Sequence, residues 1–187
     1  MWLSNTIERR LTSSMNSVIH WILKTELGRR IEIQVLMNLV TSSLHLPCHN
    51  LLCMPSDKSL DMFAAFTAER LESCNHEQKQ MLHAKALRLG RRLRQCLIHR
   101  DNEALESLIF LLYRNIGIKM EGHFPGKVIV SKCHFCNHYS PHICNVASLM
   151  DSGVICGVFS GGILEFYERI TEGNSHCLCE LAIAHES

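Results

Sequence analysis

The sequence has little proline, no excess charge of either sign and no long apolar run. It contains four prolines in 187 residues and no low-complexity tract, so we expect an ordered chain. The net charge of +1 gives no general attraction for nucleic acid or an anionic membrane. Its apolar runs, such as residues 17–23, are much shorter than the ~20 residues that span a bilayer. We therefore expect a folded domain without a membrane span.

Cysteine is the residue type present in excess, with ten copies. The start of the chain does not combine a basic region, an apolar core and a small-residue cleavage site, so we expect no signal peptide and a cytoplasmic location. Thiols stay reduced in that compartment. The cysteines then divide between buried packing residues and groups that bind a metal or react.

The hydrophobic pattern changes near residue 116 and predicts an α+β fold in one domain, 1–187. The predicted N-terminal helical layer, 1–116, packs on a C-terminal part, 117–187, that forms an antiparallel sheet with an inserted helix. The first predicted helix runs from Asn5 as N-cap to Gly28 as its C′ residue. The other predicted helices of this layer cover about 29–43, the segment after Ser56, about 76–99, and the segment after Asp101 or Asn102.

Strand and turn signals dominate the C-terminal part. We expect strands near 117–122 and 127–133, and two more within 161–171 and 176–184. Ser140 and Pro141 are typical of an N-cap and the first helical position, so a helix should run to about 159. Small residues in this helix indicate close packing against a sheet; they are Ala147, Ser148, Gly153 and Gly157.

The predicted helix 76–99 is basic on one side. An anion-binding or nucleic-acid face is one interpretation, and contact with an acidic protein partner is another. A solvated face is favoured, because no aromatic residues are interleaved with the charges. The basic residues are Lys79, Lys85, Arg88, Arg91, Arg92 and Arg94. We therefore expect no clear nucleic-acid partner.

The stretch KCHFCNHYSPHICN, residues 132–145, is the most specific feature of the sequence. Cys133 and Cys136 have the C-x2-C spacing of a structural zinc half-site. Cys177 and Cys179 are two apart on a predicted strand and should face the same side. With Cys144 at the start of the inserted helix, these residues form a candidate metal site, to which His134, His138 and His142 add nitrogen donors, with zinc as the candidate ion. No organic cofactor is indicated.

Two other interpretations of these cysteines remain open. A helix N-terminus favours a thiolate, so Cys144 is also a candidate nucleophile with His142 as a nearby base. The cysteines could instead be small packing residues of the core. Arg169, on the third predicted strand, should share a face with Tyr167 and Thr171 and reach into a pocket, or lie half exposed at an edge. Asp151, about two turns into the inserted helix, is a further buried-charge candidate, or it faces solvent.

Residues 144–181 resemble the end of the 4-vinyl reductase domain family and of the neighbouring L-2-amino-thiazoline-4-carboxylic acid hydrolase-like family. The shared outline begins with a cysteine that opens a helix, Cys144, and continues through spaced glycines and a strand. A turn glycine, Gly173, then precedes Cys177 by four residues.

The resemblance implies an α+β fold with a ligand pocket between helices and an antiparallel sheet, often in a homodimer. In domains of the 4-vinyl reductase type it also implies a zinc bound by three cysteines and a glutamate. Two of those ligand positions fall on Cys144 and Cys177, but the glutamate falls on Phe166 and the remaining cysteine on Arg169. An arginine in the last place is typical of the hydrolase-like branch.

Two functions follow as expectations. The first is a small-molecule-binding or sensor module, with a Cys-bound zinc or a redox-active thiol beside its pocket. The alternative is a hydrolase of a small cyclic thio- or amino acid. In that enzyme Cys144 would attack or bind a metal, and Arg169 would hold a substrate carboxylate. Whether the chain is an enzyme stays open at this stage.

Overall fold

The computed structural model describes residues 25–47 and 50–183. Asn5, the predicted first N-cap, lies outside these residues. The expectation that Gly28 follows the end of a helix is wrong, because α1 already begins at Glu26. Thr25 is the N-cap, and its side-chain oxygen accepts a hydrogen bond from the backbone N–H of Gly28 at 3.0 Å.

Five α-helices lie within the described residues, and an α+β fold is confirmed. Four of them precede the sheet, and the fifth is inserted between its second and third strands, as the sequence predicts. The helix predicted to reach residue 99 ends at Cys96. The helices are α1 (Glu26–Ser43), α2 (Ser56–Leu71), α3 (His76–Cys96), α4 (Asn102–Asn115) and α5 (Pro141–Val158).

The sheet has four antiparallel strands in the order β1-β2-β4-β3. A 3-10 turn, His134–Asn137, follows the second strand, and another, Ile170–Glu172, follows the third. The last two strands are shorter than the sequence indicates. The strands are β1 (Ile118–Gly122), β2 (Gly126–Cys133), β3 (Ile163–Glu168) and β4 (Cys177–Ala182).

Helix α5 begins where the sequence predicts. Ser140 is the N-cap, and its Oγ accepts a hydrogen bond from the backbone N–H of Ile143 at 3.2 Å. Pro141 occupies the first helical position, where a backbone N–H would have no acceptor within the helix, so the lack of one costs no hydrogen bond. Cys144 therefore lies at the end of the first turn. Most of the rest of α5 is buried, so this helix is central to the core.

Two of the four small residues of α5, Gly153 and Gly157, pack against a helix, which corrects the expectation of a sheet for these two. A Cβ on Gly153 would lie 2.5 Å from the Cβ of Ala86, and one on Gly157 would lie 2.4 Å from the carbonyl oxygen of Leu87. Across the interface, a Cβ on Gly90 would lie inside the contact distance of the Val154 carbonyl oxygen. The backbones of α3 and α5 therefore approach as closely as they do only because glycine occupies these positions.

Two basic side chains of α3 contact the ends of other helices. The Nζ of Lys85 donates to the carbonyl oxygen of Ser42 at 2.7 Å, and Nη1 of Arg94 donates to that of Val158 at 2.9 Å. These carbonyls are at the C-termini of α1 and α5, where the helix leaves acceptors unpaired and cations are favourable. Part of the basic face therefore has a structural explanation.

Among the described residues, no helix is long and apolar enough to cross a membrane.

Candidate functional site

A cavity of about 270 Å³ lies between α1, α5 and the 3-10 turn that follows β2. Its wall is mostly apolar, and its few polar groups come from α1, α4, α5 and the two 3-10 turns. A mainly apolar concave site with a small number of polar groups is the usual form of a small-molecule site. The apolar lining includes Ile31, Val35, Leu36, Phe63, Leu93, Leu112, Ile116, Met150 and Val154.

Aromatic contacts hold the 3-10 turn against α2. The Phe135 ring meets the Phe63 ring edge to face with centroids 6.0 Å apart, and it stacks on the Tyr139 ring at 5.3 Å. The Tyr139 hydroxyl is hydrogen-bonded to the Thr67 hydroxyl on α2. Phe63, Phe135 and Tyr139 also line the cavity, so the same contacts shape its wall.

Glu32 of α1 contributes a carboxyl group to the cavity. Burial raises the pKa of Glu32 from 4.5 to about 8, although Asn115 Nδ2 donates a hydrogen bond to its Oε2 at 2.9 Å. Arg29, the nearby cation, lowers this pKa by less than burial raises it. Glu32 is therefore mainly protonated at neutral pH and can donate as well as accept a hydrogen bond.

Asp151 contributes the second carboxyl group, from α5. Burial raises the pKa of Asp151 from 3.8 to about 6. The Tyr113 hydroxyl donates to its Oδ1 at 2.9 Å, and this bond and the positive charge of Arg169 limit the rise. Burial and Asp151 together hold the pKa of Tyr113 well above its ordinary value, so the phenol stays a donor. Asp151 is mainly ionised at pH 7, which gives the cavity a negative charge.

Thr171, in the second 3-10 turn, lines the same cavity. Its Oγ1 is buried and has no hydrogen-bond partner among the described residues. An unpaired buried hydroxyl costs roughly 1–3 kcal/mol of stability. Because Thr171 lines the cavity, a rotation of its side chain would bring this unpaired hydroxyl to a ligand.

The five cysteines predicted to bind a metal do not meet at one point. Four of them line the cavity, namely Cys133, Cys136, Cys144 and Cys177. Cys179 is fully buried in the sheet, and its Sγ lies 3.6 Å from the carbonyl oxygen of Val128. Among the described residues, no three of these sulfurs lie within 4.8 Å of one another. The sulfur ligands of one zinc lie less than 4.8 Å from one another. The cysteines as arranged here therefore do not form a zinc site, and a sulfur-bound zinc stays a prediction.

Burial accounts for the protonation of several of these thiols. It raises the pKa of Cys133 and of Cys179 to about 12, and it raises the pKa of Cys177 above its ordinary value. The C-x-C prediction that Cys177 and Cys179 share a face of β4 is confirmed, since both are buried and Leu178 between them is less so. In this state these thiols are neutral packing groups.

The predicted nucleophile, Cys144, is separated from its predicted base, His142, but it meets Arg169. Cys144 is half-buried at the cavity, whereas His142 is exposed and does not line it. Two residues apart on a helix, these side chains point in nearly opposite directions. The Nη1 of Arg169 is 4.0 Å from the Cys144 Sγ, so these two residues do meet. The guanidinium does not line the cavity.

The face predicted for Arg169 is wrong. The register of β3 against β4 shifts between Phe166 and Glu168, and the strand ends at Glu168, so simple alternation does not continue to Arg169. Tyr167 is 55% exposed, whereas Arg169 is packed with its guanidinium carbon 4.4 Å from the centroid of the Phe166 ring. Its Nη2 also lies 3.3 Å from the Ser148 hydroxyl. The arginine is thus held between β3 and α5.

Sequence reasoning singled out Asp151 but not Glu32. Glu32 lies between Ile31 and Ile33, and it is three and four residues before Val35 and Leu36. In a helix that spacing places it on the same side as those two apolar residues, which is the signal that identifies it.

No protein-family profile matches this chain, and no curated protein matches its sequence.

Proposed function

We propose that this chain is a small-molecule-binding or sensor module, whose ligand has an apolar body and a basic or hydrogen-bonding head. The observation that carries the proposal is the apolar cavity with two carboxyl groups and an unpaired hydroxyl on its wall. A pocket between helices and an antiparallel sheet also agrees with the resemblance to the 4-vinyl reductase domain family, which we keep as part of the proposal. Cytoplasmic location and a homodimer remain predictions.

The size of the cavity suits a compact ligand. An apolar cavity of roughly 150 Å³ in a protein core takes up benzene. At about 270 Å³, this cavity has room for a ring with a short chain. Natural pockets for larger ligands begin at roughly 300 Å³, so a nucleotide or a large cofactor is too big for the cavity as it stands.

The charges of the cavity select the head group. Asp151 carries a negative charge above about pH 6, and Glu32 adds a second one above about pH 8. A protonated amine gains from both, whereas a carboxylate is repelled. A neutral hydroxyl or amide can pair with the Thr171 Oγ1 and with protonated Glu32. We therefore expect binding to decrease from amines to alcohols to carboxylates.

Three probes with one apolar body test this order: 4-phenylbutylamine, 4-phenylbutanol and 4-phenylbutyrate, titrated by calorimetry at pH 8. We expect the amine to bind at least about tenfold more tightly than the carboxylate. The Asp151→Asn substitution should remove most of that preference, and Thr171→Val should weaken the alcohol. Glu165→Gln, which removes an exposed carboxyl on β3, is the matched control and should leave all three affinities unchanged.

The proposal is refuted if none of the three probes binds with a dissociation constant below ~1 mM, or if the carboxylate binds as tightly as the amine. Equal affinities would also mean that the two carboxyls do not face the bound molecule. The Thr171→Val protein provides an internal check, since removal of an unpaired buried hydroxyl should stabilise the unliganded protein by about 1 kcal/mol. A loss of stability instead would show that the hydroxyl already has a partner.

The hydrolase alternative has one observation in its favour, the 4.0 Å approach of Arg169 to the Cys144 thiol. It has less support than binding, for two reasons. His142 is exposed and turned away from Cys144, and the negative charge of Asp151 disfavours a substrate carboxylate in the cavity. Alkylation of Cys144 measured against pH tests it, since a nucleophilic thiolate reacts below the pH at which an ordinary thiol does.

A further inference from the structure

We propose that Asp61, His134 and His138 form a binding site for a divalent transition-metal ion, separate from the five cysteines. These residues belong to α2 and to the 3-10 turn after β2, with His138 directly following that turn. Their ligand atoms all lie within 4.8 Å of one another. Two imidazole nitrogens and one carboxylate oxygen are a ligand set that suits zinc and neighbouring first-row metals.

One edge of the coordination polyhedron is already at the right length. The Nε2 of His134 is 3.2 Å from the Oδ1 of Asp61. Two ligands of a tetrahedral zinc, each bound at ~2.0–2.1 Å, lie ~3.3 Å apart. The His138 ring is 5.3 Å from the His134 ring between centroids, and its ligand nitrogen lies within 4.8 Å of the other two ligand atoms, so a side-chain rotation would have to shorten these distances to ~3.3 Å.

The state of the His134 nitrogen is the second observation. Its Nε2 is buried and makes no well-aligned hydrogen bond with any described residue, despite the short distance to Asp61. A buried ring nitrogen without a hydrogen bond is uncommon in a native protein. A metal ion between the imidazole and the carboxylate would satisfy both, whereas an ion pair of that geometry satisfies neither fully.

The scaffold fixes His134 and the turn that carries it before any metal arrives. The backbone N–H of His134 donates to the carbonyl oxygen of Gly117 at 3.1 Å. A Cβ on Gly117 would lie 2.8 Å from the His134 Cβ, and its φ of 76° also favours glycine. Phe135 anchors the turn on α2, the helix that carries Asp61. Ligands on rigid, mutually packed elements cost less to order on binding.

Access and coordination number follow from exposure. His138 and Asp61 are exposed, so the ion can reach the site from solvent without passing through the ligand cavity. Three protein ligands leave a fourth position for water or an external group. Metal would join the turn to α2, and it should therefore stabilise the fold. At 100 times the dissociation constant, we expect Tm to rise by about 5–10 °C.

Calorimetry with Zn²⁺, after treatment of the protein with a chelator and its removal, tests the site. We expect one Zn²⁺ per chain, and a loss of at least about tenfold in affinity in His138→Gln and in Asp61→Asn. Both side chains are exposed, so these variants should fold, and their Tm without metal checks that they do. His142→Gln, on the next helix, and Asp57→Asn, exposed on α2, are matched controls that should bind like the wild type.

Co²⁺ distinguishes the two possible ligand chemistries. A site of nitrogen and oxygen ligands gives weak visible bands, whereas thiolate ligands add intense near-ultraviolet charge transfer. The proposal is overturned by unchanged affinity in His138→Gln and Asp61→Asn, by no saturable binding up to ~100 μM Zn²⁺, or by thiolate bands that Cys136→Ser removes. The last result would assign the metal to the cysteines. The test does not depend on the phenylbutyl probes, so this site and the cavity can fail separately.

Discussion

Substitution of Glu32 by Gln should stabilise the protein, and the gain should grow with pH. In the native state the pKa of Glu32 is about 8, against 4.5 for a free glutamate. The native state therefore holds this proton more tightly than the unfolded chain does. The contribution of Glu32 to stability is greatest below pH 4.5 and falls by about 1.4 kcal/mol per pH unit until the native group also ionises. By pH 7 that amounts to about 3 kcal/mol.

Glutamine has the shape of the protonated acid and does not titrate. Its side-chain oxygen can accept the hydrogen bond that Asn115 Nδ2 now donates to Glu32 at 2.9 Å. The variant should therefore match the wild type near pH 4.5 and exceed it by about 3 kcal/mol at pH 7. That is a large fraction of the 5–15 kcal/mol typical of a folded domain.

Urea unfolding at pH 4.5, 5.5 and 7, with unchanged m-values, measures the difference directly. Comparison of the two proteins at each pH cancels the other titrating groups. Glu72→Gln, at an exposed carboxyl just after α2, controls for the loss of one negative charge and should give a small difference at every pH. A Glu32→Gln effect that does not grow between pH 4.5 and 7 would contradict the burial that we assign to this carboxyl.

Two further substitutions test the packing of the helices. Gly153→Ala should destabilise the protein by about 1–3 kcal/mol in urea unfolding, because the new methyl group would overlap Ala86 on α3; an unchanged midpoint would show that the helices can separate at little cost. Glu26→Gln should cost about 1 kcal/mol at pH 7, a value reduced for the exposure of this side chain. Hydrogen bonds from the Ser56 N–H and hydroxyl, together with Arg30, lower the pKa of Glu26 to about 2. The wild type should therefore lose its advantage over Glu26→Gln as pH falls from 4.5 to 2. Equal acid sensitivity of the two proteins would contradict this assignment.

Local rules predicted most of the fold. Ser140 and Pro141 place the start of α5, and alternation places Cys177 and Cys179 on one face, because each rule depends on neighbouring residues alone. The partner of the glycine-bearing face of α5 was not predictable in this way. Small residues indicate a close approach, but a helix and a sheet both offer one, and α3 is far away in the sequence.

The candidate sites show the same division. His134 and His138 have the spacing of a pair of metal ligands, and both belong to the stretch that the sequence marks as specific. Their carboxylate partner, Asp61, lies on a separate helix and meets them through tertiary contacts such as the packing of Phe135 on Phe63. Arg169 was misplaced because a shift of register within β3 interrupts the alternation, and hydrophobicity carries no signal for such a shift.

The strand order leaves β1 and β3 at the two edges of the sheet, and each is built to resist extension. The register of β1 shifts between Lys119 and Met120, and that of β3 shifts between Phe166 and Glu168. Irregular pairing and charged side chains, such as the Lys119–Glu121 ion pair of 2.7 Å on β1, make an edge a poor template for another strand. A second copy of the chain should therefore not continue this sheet from either of the edges within the described residues.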